Sequence, residues 1–201
     1  FINGGANTDI LSVTASAALT AASLANINSI ETITLTGATS SVVLTDAVYT
    51  SNAANSGATT LTVDGNALTN TLLVNASALT GTNFVTAVMS TATGKADSIY
   101  GGAGADIIQV SGITAIETAT ADSFIGNGGT DTIQLITTAG NVTVGFGAST
   151  VTSIEALTVV GNGGLVSITT GDNMLTGAGT VTVNAASLIT TNTLTFDGSG
   201  E

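Results

Sequence analysis

The chain has 201 residues and carries one basic side chain, Lys95, against 13 acidic ones, a formal charge of −12. A nucleic-acid or anionic-membrane partner needs clustered Lys and Arg to replace counterions, so both are excluded at the outset. Pro, Cys, His and Trp are absent and only 3% of residues are aromatic. The core is therefore Ala, Val, Ile and Leu, and chemistry that needs His or Cys cannot be built.

Threonine makes up about a fifth of the chain and glycine 25 residues. Thr and Val favour a pleated, half-buried backbone, while Gly and Asn supply turns. No window shows helical periodicity. In chain order, strands are expected at 30–36, 42–45, 59–63, 71–75, 84–89, 107–110, 132–136, 141–145, 154–160, 166–169, 179–183 and 192–196. Several alternate threonine with an aliphatic residue, as in "TLTV" (60–63) and "TVTV" (180–183). One face is then buried and the other carries hydroxyls. Short strands of this kind fit an all-β fold, either a parallel β-solenoid resembling a β-roll or, as the alternative, repeated β-sandwiches. Asn-Gly and Asp-Gly hairpin signals are few, Asp64-Gly65 and Asp197-Gly198 being the main ones. No run of about 18 apolar residues occurs, so no membrane insertion is expected.

A long internal repeat favours the solenoid. "NGG…SIETITLTG" (3–37) returns as "NGG…SIEALTVVG" (127–161), and "TLLVNASALTGTN" (71–83) as "TVTVNAASLITTN" (180–192). Residues 1–122 read as one full unit and 123–201 as a second, truncated unit. The chain also reads as a part of something longer. If the unit continues, an Asp is expected at about position 206 and a GGxGxD turn at about 210–215.

Within these units one pattern stands out. "GGAGADIIQ" (101–109) fits GGxGxDxUx, with U a large aliphatic residue, at every position. "GNGGTDTIQ" (126–134) replaces one glycine by Asn127, and "GGANTDILS" (4–12) replaces another by Asn7. Asparagine is the non-glycine residue that best tolerates the left-handed backbone, so both departures are mild. "KADSIY" and "TADSFI" precede the first two with Asp97 and Asp122 in the corresponding place. Glycines allow a tight turn that points carbonyls inward, and the Asp adds charge, which together suit Ca2+ with its six to eight oxygens. The plainer alternative is that Asp and Gly simply make turns.

This nonapeptide resembles the repeats-in-toxin (RTX) family, whose units stack as a parallel β-roll around calcium. The resemblance implies a Ca2+ site set of Asp9, Asp97, Asp106, Asp122 and Asp131, with Gly4, Ala6, Gly101, Ala103, Gly126 and Gly128. Asp46, Asp64, Asp172 and Asp197 lack the frame and read as turn residues. Glu31, Glu117 and Glu155 share an "IE" context and mark one edge of a repeated coil. A paired-carboxylate glycosidase is the sharper reading of them and is not favoured. No Lys follows the glycine runs at phosphate-loop spacing. "NAS" (75) and "NVT" (141) match the glycosylation acceptor pattern, which chance produces often.

The composition and phrases such as "SIETITLTG" and "FDGSGE" also resemble Gram-negative surface-layer and RTX-type surface proteins. The resemblance implies a non-enzymatic structural domain at the cell surface or outside it, exported by type I secretion. It implies calcium binding and assembly with copies of itself into a lattice or filament. The alternative is an adhesin segment, with a cell-surface glycan as partner, or the calcium-binding module of a secreted enzyme.

Overall fold

The computed structural model describes residues 1–49, 60–92, 94–111, 122–137, 140–146, 151–161, 164–170, 174, 180–188 and 192–199. Glu117, Asp172 and Glu201 lie outside them. The chain winds as a parallel β-solenoid. Its largest sheet holds eight strands stacked in sequence order: Ile10–Val13, Thr32–Leu35, Thr60–Asp64, Phe84–Val88, Ile107–Ser111, Thr132–Thr137, Ala156–Gly161 and Thr182–Asn184. A second sheet stacks Ala17–Leu19, Ser40–Thr45, Leu72–Ala78, Ser98–Tyr100, Ser123–Ile125 and Val151–Thr152. Val142–Gly145, Leu165–Thr169 and Thr193–Asp197 form a three-stranded sheet, and Ile2–Asn3 pairs with Ile27–Asn28. Strands pair with the equivalent strand of the next coil, all in parallel, which is the solenoid expected from the sequence.

Alternation along each strand explains the composition. In Thr32–Leu35 the threonines are half-exposed while Ile33 and Leu35 are buried. Stacking turns this alternation into columns. One inward column runs Leu11, Ile33, Val63, Ala87, Ile108, Ile133, Leu157 and Val183, each paired with the next. The neighbouring outward column carries Thr32, Thr62, Thr86 and Thr132. On the outer face Gln109 Nε2 donates to Gln134 Oε1 at 2.7 Å, tying two coils together. Aliphatic side chains, with Val, Ile and Leu foremost, fill this interior.

The twelve expected strands all coincide with observed ones, to within a few residues. Those at 2–3, 10–13, 17–19, 27–28, 98–100, 123–125 and 151–152 were not legible. They are two to four residues long, too short for periodicity to register. Helix among the described residues is found at Ala21–Leu24 and at residues 46–49. The first is capped by Thr20, whose side chain accepts from Ser23 N at 3.2 Å. Tyr49 is buried and its hydroxyl donates to the Phe84 carbonyl at 2.6 Å. Burial raises its pKa, with the Asp106 and Asp46 charges adding to the effect, so it remains a phenol donor. Tyr49→Phe should cost about 1 kcal/mol in urea unfolding; an unchanged midpoint would show that the bond contributes nothing.

Candidate functional site: a carboxylate ladder and its glycine cradles

The two aspartate motifs are successive coils of one stack. Asp97 precedes strand Ser98–Tyr100 and Asp106 precedes Ile107–Ser111, so the nine-residue spacing sets one Asp at the mouth of each main sheet. The next coil repeats both with Asp122 and Asp131, 25 residues later. Side chains at this place point inward. In the larger sheet the column reads Asp9, Glu31, Leu61, Val85, Asp106, Asp131, Glu155 and Val181, the residues immediately before the paired strand positions.

A carboxylate facing inward needs donors, and the backbone of the preceding coil provides them. Asp97 Oδ1 accepts from Leu72 N at 2.8 Å and Asp122 Oδ1 from Asp97 N at 2.8 Å. Asp106 Oδ1 accepts from Val85 N and Asp131 Oδ1 from Asp106 N, both at 2.7 Å. Glu155 Oε2 accepts from Asp131 N, and Glu31 Oε2 from Asp9 N, both at 2.8 Å. The second oxygen of Asp97 takes Ser90 N at 2.9 Å, and that of Asp106 takes Gly102 N at 2.7 Å. Asp97, Asp106, Asp122 and Asp131 are each no more than 2% exposed. The ladder thus pairs N–H groups at the strand entrances that would otherwise go unpaired between coils. Glu31 and Glu155 belong to it, tied to neighbouring turns.

The glycines serve the ladder. A Cβ on Gly101 would sit 2.4 Å from Asp106 Oδ2 and 2.5 Å from the Gly126 carbonyl. On Gly126 it would sit 1.9 Å from the Ser153 carbonyl and 2.4 Å from Asp131 Oδ2. On Gly4 it would sit 2.0 Å from the Ser29 carbonyl and 2.7 Å from Asp9 Cγ. Each motif therefore builds the same cradle, in which its own carboxylate and the next coil's carbonyl converge on space that only glycine leaves open. Asn7 and Asn127 take left-handed φ values of 89° and 69°. Ser29 and Ser153 do the same, at 51° and 55°, which nothing in the repeated "SIE" phrase signalled.

The cradles differ in one respect. At Gly101 the Asp106 oxygen has the Gly102 N–H as donor. At Gly126 and Gly4, Asp131 Oδ2 and Asp9 Oδ2 are buried with no hydrogen-bond partner among the described residues, as is Glu31 Oε1. Oxygens that converge without a donor call for a proton or a cation between them. Burial raises the Asp131 pKa to about 7, with the Asp106 and Glu155 charges adding to the rise against the hydrogen bond from Asp106 N. Burial also raises Asp97 and Asp106, opposed by their N–H partners. Among the described residues no three acidic side chains gather as a metal cluster. A calcium ion beside Gly126 or Gly4 would thus draw most of its oxygens from backbone carbonyls. At these two cradles a carboxylate oxygen without a donor among the described residues lies close to a backbone carbonyl. Asp97 and Asp106, with N–H donors on both oxygens, fit such an ion poorly.

No family model, curated protein or solved structure matches the chain. Its chemistry rests on its own residues.

The remaining acidic residues divide. Asp64 and Asp197 accept from Asn66 N and Ser199 N two residues on, as turn residues do. Asp46 reaches further, binding Thr80 N, Thr80 Oγ1 and Asn83 Nδ2, which hold its pKa down. Ala6 is exposed and Ala103 lies on an exposed turn whose N–H donates to the Leu79 carbonyl at 3.2 Å. Gly128 N donates to the Gly102 carbonyl at 3.0 Å, joining consecutive motif turns. No described helix is long and apolar enough to cross a membrane.

Proposed function

We propose that this chain is a structural, self-associating repeat domain that works at the cell surface or beyond it and takes up calcium in the cradles beside Gly4 and Gly126. One observation carries the reading: the buried oxygens Asp9 Oδ2 and Asp131 Oδ2 have no hydrogen-bond partner among the described residues and stand beside the Ser29 and Ser153 carbonyls at the glycine cradles. The repeat supports association, since each coil pairs in parallel register with the next and the same surface recurs along the stack. The charge of −12 opposes lateral association, and a divalent cation relieves that repulsion. Millimolar calcium outside a cell suits weak sites of the extracellular kind, with dissociation constants of about 10⁻⁴–10⁻³ M. The RTX resemblance supports export.

Sedimentation velocity and negative-stain microscopy, in chelator and in millimolar calcium, test this. Larger species that grow with protein concentration and with calcium are expected. Monomer throughout, at high concentration of both, would defeat the reading.

A second reading, as an adhesin segment, is favoured by a groove on the smaller sheet bounded by Ala17, Ser40, Ser41, Thr71 and Leu73. Its hydroxyls and apolar floor suit a sugar face. Glycan-array binding lost on Ser41→Trp would favour it.

A further inference from the structure

The outer face of the smaller sheet differs from its neighbours. The larger sheet carries Asp64 and the three-stranded sheet Asp197, whereas no strand of the smaller sheet holds a charged residue. Its outward side chains stack in columns, as the inward ones do. One column reads Val43, Asn75, Tyr100, Ile125 and Thr152, each paired with the next and each half-buried. In the adjoining column Leu73, 39% exposed, pairs with Ser98 on the following coil. Of the two tyrosines, Tyr49 is buried and Tyr100 stands on this face. The Tyr100 hydroxyl makes no hydrogen bond among the described residues, and neither does Asn75 Nδ2. Asn75 Oδ1 accepts from Ser77 N at 3.1 Å and from Ser77 Oγ at 2.7 Å, which holds the amide in place.

We propose that this face, centred on Tyr100, is a platform for a short neutral oligosaccharide. The C–H face of a sugar ring stacks on the tyrosine ring, and its hydroxyls meet Asn75 Nδ2 and the hydroxyls of Tyr100 and Ser98. The inference rests on the adhesin reading above and names the residues that hold the sugar. Size favours a glycan over a protein partner. The large apolar positions Val43, Leu73, Tyr100 and Ile125 span four coils, and within the chain they give way to Ala18 on one side and Thr152 on the other. Four strands about 4.8 Å apart, with about 3.3 Å for each of three residues, give on the order of 200 Å². A stable protein interface needs about 800 Å² per partner. Charge favours a neutral glycan, because a chain at −12 whose one cation is Lys95 repels an anionic one.

The whole chain is titrated with cello-, xylo-, malto- and chitohexaose, and with polygalacturonate as the anionic probe. Tyr49→Phe leaves Tyr100 as the only tyrosine in a chain without Trp, so tyrosine emission then reports the platform alone. That emission is expected to change with at least one neutral hexaose and not with polygalacturonate. Tyr100→Ala should weaken binding about tenfold or more, and Tyr100→Phe, which keeps the ring, by about threefold at most. Thr86→Ala on the larger sheet is the control, and circular dichroism confirms that each variant is folded. Binding lost on Ser41→Trp but untouched by Tyr100→Ala would overturn the platform and leave the groove standing. If no hexaose binds, both fail, and a Tyr100→Ala chain that no longer self-associates in sedimentation would give the face to a second copy instead.

Discussion

Asp106→Ala should lower the stability of the folded chain by about 2–6 kcal/mol, because two buried N–H groups, Val85 and Gly102, lose their acceptor at about 1–3 kcal/mol each. That is a large share of the roughly 5–15 kcal/mol that holds a domain together. Asp106→Asn should cost less, since the amide keeps one acceptor but turns its NH2 toward the other N–H. Urea midpoints read both effects, with the exposed turn residue Asp197→Ala as control. The medium matters as much as the size. If Asp106 acts through the ladder, the loss appears equally in chelator and in calcium. A loss confined to calcium-containing buffer would mean that the residue serves an ion instead, and the ladder would be wrong.

The folded chain should gain stability on acidification from pH 8 to about pH 5, the reverse of ordinary acid denaturation. Asp131, with its pKa raised from 3.8 to about 7, holds its proton when folded and releases it when unfolded across that window. The folded state therefore binds more protons, and stability falls as pH rises through 7. Asp97 and Asp106 shift in the same direction. At about 1.4 kcal/mol per unit, reduced by solvent screening, a gain of about 1–2 kcal/mol is reasonable for Asp131. Asp131→Asn, neutral at every pH, should flatten the profile. A calcium ion beside Gly126 would compete with the proton, so calcium should raise the melting temperature more at pH 8 than at pH 5.5, and not in Asp131→Asn. A melting temperature that climbs steadily from pH 5 to 8 in chelator would contradict the assignment.

Both results turn on what surrounds a carboxylate, which separates what sequence and fold each decide here. The all-β class, the long strands and the stacking were legible because threonine and aliphatic residues alternate with period two, and because phrases recur at long range. The aspartate-glycine frame was legible as well, down to the tolerance of Asn7 and Asn127 for left-handed backbone, because that preference belongs to the residue type. By itself, then, the sequence determined that coils stack, where the tight turns fall, and that no basic cluster exists to meet nucleic acid or an anionic surface. It did not determine which way each aspartate faces or what meets it. Glu31 and Glu155 read as edge markers, yet they complete the same column as Asp9 and Asp131. Ser29 and Ser153 gave no signal of the left-handed backbone whose carbonyls close the cradles. Those facts depend on register between residues 22 to 27 apart on successive coils, and register is fixed by burial of the inward column, not by local preference. Asp106 and Asp131 sit in frames that differ at one glycine, Gly102 against Asn127, and that Asp106 finds the Gly102 N–H while Asp131 Oδ2 has no partner among the described residues is visible only once the coils are packed.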